Sequence, residues 1–241
     1  MVDPAKAIDL HKEQRDAFTR IHQAITQKRI EPFISESILT YESLVKERRQ
    51  QVLSHKSPLK ITTGENKIHL ESNPAIHPGL QPKDVYYFKK AIELGFKVLP
   101  GRRFGKLVIP EVQQAGHYIP DEDYLEGGKR FAEITDFIQS KGCGYAVYHQ
   151  LTCPPELAHL NVPTRLQLYK GTAKKLSSAL AEWSDGDSVA LHITNHIDLF
   201  CSNDNAKNTK TKSVFHPDIV QQLTERYDFK KVSPAQLMEL L

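Results

Sequence analysis

The last third of the chain alternates between two hydrophobic periods, and this alternation most constrains the fold. DSVALHITNH reads as a helix over about 187–196, and IDLFCSND as a strand over about 197–202 with its exit. A polar, lysine-bearing loop over 203–213 precedes a helix from Pro217 to about Tyr227. FKKV is strand-like, and Ser233-Pro234 supplies an N-cap and an N1 proline for a closing helix. Short apolar strands separated by helices pair through crossovers rather than hairpins. The expected class is therefore α/β with a mostly parallel sheet.

The rest of the chain divides less sharply. Residues 4–29 read as one or two amphipathic helices, interrupted by Pro32. Phe33-Ile34 is a short strand, and Ser35 is the N-cap of a helix from Glu36 to about Leu53. Gly and Pro are frequent over 54–82, where ITTGENKIHLES fits a hairpin; a helix over about 83–94 ends at Gly95. FKVL is strand-like, and PGRRFGKLVIP is a basic, turn-rich loop. Residues 120–140 and 154–182 read as helices, and 145–149 stays ambiguous between helix and strand.

At 241 residues the chain is long enough to bury a sizeable core as one domain. The net charge of +3 excludes a nucleic-acid binder that works by bulk charge, so any such contact must come from local patches. With no apolar run of about 18 residues, no membrane span is expected. The opening MVDPAKAIDLHKEQRD lacks an apolar signal core, and the three cysteines form no CxxC pair; reduced thiols in a cytoplasmic protein are the expectation.

Acidic residues flank the helix–strand unit at 185–204. A helix of about ten residues spans roughly 15 Å, and a strand of about five returns roughly 16 Å. Asp187 at the helix start and Asp204 at the strand end would then share one edge, where α/β sites form. Carboxylates gathered there repel unless a cation neutralises them, and oxygen ligands suit Mg²⁺ or Mn²⁺ rather than zinc. Each acid also fits a plainer role: Asp187 as a helix cap, Asp185-Gly186 as a turn, Asn203-Asp204 as a loop start.

Basic residues lie close in sequence. Lys207, Lys210 and Lys212 follow Asp204, and Arg102, Arg103 and Lys106 sit in the glycine-bearing loop. Both groups suit phosphate contact, and both also read as solvated loops. His192 and His196 stand four apart on the expected helix but lack the Glu of an HExxH site, so packing is the better reading for His192. His149 and Cys153 have no second ligand pair. Cys201 reads as a small buried hydrophobe, and Trp183 and Tyr86-Tyr87 as core more than as stacking platforms.

The stretch DSVALHITNHIDLFCSND, with FKKVSPAQLMELL after it, resembles the C-terminal half of a PIN domain. Asp187 matches that family's third acid, and Asp204 in Ser202-Asn203-Asp204 its fourth. IEPFISESILTYESL resembles the family's strand leading into a glutamate-bearing helix, with Glu42 the better match and Glu36 its rival. The resemblance covers roughly 30–50 and 183–241, leaving 55–180 as an elaboration within a single domain, 1–241.

The resemblance implies an α/β/α sandwich around a central, mostly parallel sheet with a large inserted segment. It implies a Mg²⁺- or Mn²⁺-dependent ribonuclease, often the toxin of a toxin–antitoxin pair. Glu36 or Glu42, Asp187 and Asp204 would be metal ligands, with Ser35, Ser202 and Asn203 orienting ligands or water. RNA is the expected partner, with an antitoxin protein and a second copy of the chain as others. The family's opening strand ending in Asp has no counterpart, since only Asp3 lies early enough and MVDPA is too short for a strand. Either that strand lies upstream of Met1 or the ligand is lost, and loss implies a weak or inactive nuclease, or a PIN-like fold kept as an interaction module. A third expectation is an unrelated α/β enzyme using the central segment as its substrate domain.

Overall fold

The structure is a computed structural model that describes residues 4–41, 48–50, 54, 59–64, 67–72, 82–103, 124–206 and 213–241. In chain order the elements begin with α1 (Pro4–Thr26), β1 (Phe33–Ser35), α2 (Glu36–Tyr41), β2 (Leu59–Gly64) and β3 (Lys67–Ser72). They continue with α3 (Pro82–Glu93), β4 (Lys97–Leu99), α4 (Tyr124–Ser140), α5 (Tyr145–Thr152) and α6 (Val162–Leu168). The last are α7 (Ala173–Thr194), β5 (Phe200–Cys201), α8 (Pro217–Tyr227), β6 (Lys231–Val232) and α9 (Pro234–Leu240).

The protein mixes helix and strand, and its helix-separated strands pair in parallel, as the alternation requires. Among the described residues the expected central sheet takes the form of two separate parallel pairs. β1 runs alongside β4, with Ser35 opposite Leu99, and β5 alongside β6, with Cys201 opposite Val232. The hairpin expected at ITTGENKIHLES is present as the antiparallel pair β2·β3. No helix of the described residues is long and apolar enough to cross a membrane.

Helix α7 organises the interior. From Ser188 to Thr194 every residue is buried, as expected of a helix surrounded on all sides. Its first half joins Tyr148 and Leu166 through Leu176, Leu180 and Trp183. Its second half enters a larger core through Val189, Leu191 and Ile193, which meet Leu99, Phe131, Ile134, Phe215, Leu223 and Phe229. Residues of the 55–180 segment thus contribute directly to the core shared with the C-terminal third.

This helix corrects three expectations. It starts at Ala173, not near 187, so Asp187 caps nothing and lies in the helix interior. The reason is a close approach: a Cβ on Gly186 would lie 2.8 Å from the Cα of Gly144, so Gly186 lets α7 pass the loop before α5 instead of breaking the helix. The helix stops at Thr194, and His196 beyond it adopts a left-handed conformation with φ 53°, so it does not share a helical face with His192. The following strand is correspondingly short, Phe200–Cys201, and Cys201 is exposed rather than buried.

Local capping behaves as the sequence indicates. The Ser233 hydroxyl accepts from the Gln236 amide while the Gln236 side chain accepts from the Ser233 amide, a full capping box at the start of α9. The ambiguous 145–149 stretch is helical within α5, stacked through Tyr145 and Tyr148 on Trp183 of α7.

Candidate active site

β1 and β4 are parallel, so their carboxyl ends share an edge, and the chain carries acidic and basic groups there. Glu36 opens α2 immediately after β1 and is 2% exposed. Its Oε2 accepts the Gly101 amide at 2.7 Å from the loop after β4. A Cβ on Gly101 would lie 3.3 Å from that oxygen, so glycine keeps the approach open.

Ser35 ties this edge to α7. Its Oγ accepts from the Ile38 amide at 3.3 Å, the N-cap bond anticipated for it. The same oxygen lies 2.6 Å from Ser188 Oγ. Ser188 commits its single proton to the Ser184 carbonyl at 2.7 Å, which makes Ser35 the donor to Ser188.

Asp187, next to Ser188, sits where the two apolar clusters meet and is 3% exposed. Oδ2 accepts from Trp183 Nε1 at 3.1 Å, and Oδ1 lies 3.8 Å from an Arg103 guanidinium nitrogen. Burial drives its pKa up to about 7, against the opposing pull of Arg103 and the Trp183 bond. Arg103 is itself fixed over the rings of Phe131 and Tyr145, at 5.5 and 5.6 Å from their centroids. Glu36 and Asp187 are thus bracketed by one short loop: Gly101 bonds the first, and Arg103 pairs with the second.

Other expected residues fall elsewhere. Asp204 is exposed, its Oδ1 accepting from the Ala206 amide at 2.9 Å and its own amide donating to Ser202 Oγ at 3.1 Å. The Ser202 carbonyl accepts from Lys231 Nζ at 3.3 Å, and Asn203 is exposed. Asp204 acts electrostatically on Lys231 and on Glu182. Glu182, which the sequence did not single out, takes the Gly144 and Val214 amides on one oxygen at 3.0 and 2.8 Å. Its pKa is raised chiefly by burial, against those bonds. Glu42, Lys207, Lys210, Lys212 and Lys106 lie outside the described residues.

The histidine and thiol candidates resolve into packing. His192 meets Phe200 and Phe229 edge-on at 5.5 Å each, and burial lowers its pKa to about 4. Cys153 contacts the buried Arg165 guanidinium, and His149 lies against Tyr145. Trp183 is core, as expected, and also holds Asp187.

Among the described residues no three His, Cys, Asp or Glu side chains converge as a ready-made metal cluster. Glu36 and Asp187 are buried carboxylates, oxygen donors of the type a hard cation takes. Mg²⁺ and Mn²⁺ bind through one or two carboxylates and complete their shells with water and phosphate. Asp187, buried with its charge only partly compensated, is the donor that such an ion would relieve.

Beside Arg103 a cleft of about 510 Å³ opens between α4, α5 and the loop after β4. No protein-family model, curated protein or solved structure matches this chain.

Proposed function

We propose that this protein is a PIN-like, Mg²⁺- or Mn²⁺-dependent endoribonuclease acting in the cytoplasm. The observation that carries the reading is that the short loop after β4 engages both buried acids, Gly101 bonding Glu36 and Arg103 pairing with Asp187. Glu36 and Asp187 would hold the cation, with Glu42 as the further ligand that the family resemblance suggests. Bound there, the cation supplies Lewis-acid stabilisation of phosphate charge and acidifies the attacking water.

The chain's own groups do the rest. Arg103 is held rigidly by two rings, so it can shift from Asp187 to a substrate phosphate without ordering a free side chain. Ser35 and Ser188 hold β1 and α7 in register, so the two carboxylates keep a fixed separation. The α/β/α sandwich, an antitoxin partner and a homodimer belong to the same proposal.

The test is Mn²⁺-dependent cleavage of a labelled single-stranded RNA by the native chain and by Asp187→Asn. Cleavage lost in the variant supports the reading, and equal cleavage by both removes it.

One observation favours a second reading, an inactive PIN-like interaction module. Arg103 already pairs with Asp187 without any metal. Under that reading Mn²⁺ leaves both cleavage and stability unchanged.

A further inference from the structure

The cleft beside Arg103 has a chemical character that neither carboxylate explains. Its volume of about 510 Å³ falls within the roughly 300–1,000 Å³ range of small-ligand sites. Arg102 and Arg103 supply cationic walls, Asp136 an acidic one and Tyr145 an aromatic one, with Trp183 buried against Tyr145. Gln139 lines it too. The Gln139 amide nitrogen is committed to the Thr135 carbonyl at 3.0 Å and to Asp136 Oδ1 at 3.3 Å, which leaves Oε1 as its acceptor for a base N–H.

The cleft joins the carboxylate site through two residues. Arg103 both lines it and pairs with Asp187, and Trp183 both lines it and donates to Asp187. A ligand seated in the cleft with its anionic group towards Arg102 and Arg103 would therefore lie against the proposed reaction centre.

Gly128 adds an independent observation. It lies within α4 beside Gly127, and consecutive glycines weaken a helix by about 1 kcal/mol each. A Cβ at Gly128 would meet an Arg102 guanidinium nitrogen at 3.4 Å. Gly128 lines the cleft, and Arg102 lies beside it at a distance that a Cβ would also tolerate.

We infer that this cleft seats one nucleotide of a single-stranded RNA, its phosphate on Arg102 and Arg103 and its base against Tyr145 with an edge toward Gln139. Duplex RNA, whose bases are stacked and paired, cannot present a base to such a cleft. The inference rests on the ribonuclease reading for its substrate, but not on the metal site for its binding energy.

Trp183 is the chain's only tryptophan, so its fluorescence reports on the cleft directly. The experiment titrates the full chain, in EDTA, with uridine 5′-monophosphate, uridine, inorganic phosphate, single-stranded oligouridylate and an RNA duplex. Saturable quenching by the monophosphate and the single strand is expected, with uridine, phosphate and duplex each at least about tenfold weaker. Arg102→Ala is expected to weaken monophosphate binding by about tenfold, the loss of one charged hydrogen bond. Gln139→Ala, which leaves the guanidinium wall intact, weakens it less and differently for uridine and adenosine monophosphates.

Absence of saturable quenching, equal binding of phosphate and monophosphate, equal quenching by duplex, or unchanged affinity in both variants would overturn the inference. Because metal is excluded, the outcomes separate. Quenching without cleavage removes the proposed reaction and keeps the cleft, whereas cleavage without quenching removes the cleft alone.

Discussion

Asp187→Asn, made in the metal-free protein, is expected to stabilise it at neutral and alkaline pH. Burial raises the pKa of Asp187 from 3.8 to about 7, so the folded state holds a proton that the unfolded state releases. Stability from this group is fully present below pH 3.8, falls as pH rises, and is lost by about pH 7. A shift of about three units at 1.36 kcal/mol each corresponds to a penalty on the order of 4 kcal/mol at pH 8. Asparagine carries no such penalty and still offers an oxygen to Trp183 Nε1. It gives up the pairing with Arg103, a contact at 3.8 Å to a side chain that keeps 20% exposure and two ring contacts. The pull of Arg103 is already contained in the pKa of about 7, so its loss is not subtracted a second time.

The net gain is therefore about 4 kcal/mol at pH 8, shrinking to near zero at about pH 4. Urea unfolding of both proteins in EDTA at pH 4, 5, 6, 7 and 8 measures the difference. A difference that does not vary with pH, or that grows toward acid, would refute the reasoning.

Three further outcomes follow from the same structure. His192, held neutral among Phe200 and Phe229, keeps its pKa near 4, so it contributes stability above pH 6.5 that is lost as pH falls toward 4; NMR should show no His192 titration above about pH 5, and His192→Leu should flatten the acid limb. Gly186→Ala improves helix propensity by about 1 kcal/mol yet drives a Cβ to 2.8 Å from the Gly144 backbone, so denaturation should show a net loss of about 1–3 kcal/mol. A double-mutant cycle on Ser35→Ala and Ser188→Ala should give a coupling of about 1 kcal/mol, against none if the 2.6 Å contact is incidental.

What the sequence disclosed depended on how local the cause was. The Ser233 capping box, the Pro217 start of α8 and the β2·β3 hairpin rest on neighbouring residues, and all were legible. The start of α7 was not. Asp185-Gly186 reads as a turn, because nothing nearby reveals that Gly144 will press against Gly186 from another segment. Glu36 and Asp187 were found as acids, but the argument that joined Asp187 to Asp204 across a short helix fails, since Asp187 lies deep in a long one. The actual link runs through Ser35, Ser188 and the Gly101–Arg103 loop. The cleft was invisible, because Arg102, Gln139, Tyr145 and Trp183 come from four separate stretches with no shared spacing. Trp183, four residues before Asp187, was the one local hint.

The central claim is that Glu36 and Asp187 together bind a divalent cation, and unfolding in Mn²⁺ against EDTA at pH 7.5 tests it most directly. With Mn²⁺ at about 100 times its dissociation constant, the native chain should gain about 2.7 kcal/mol by mass action. Glu36→Gln and Asp187→Asn should each gain far less. No gain in the native chain, or the same gain in both variants, would contradict the account.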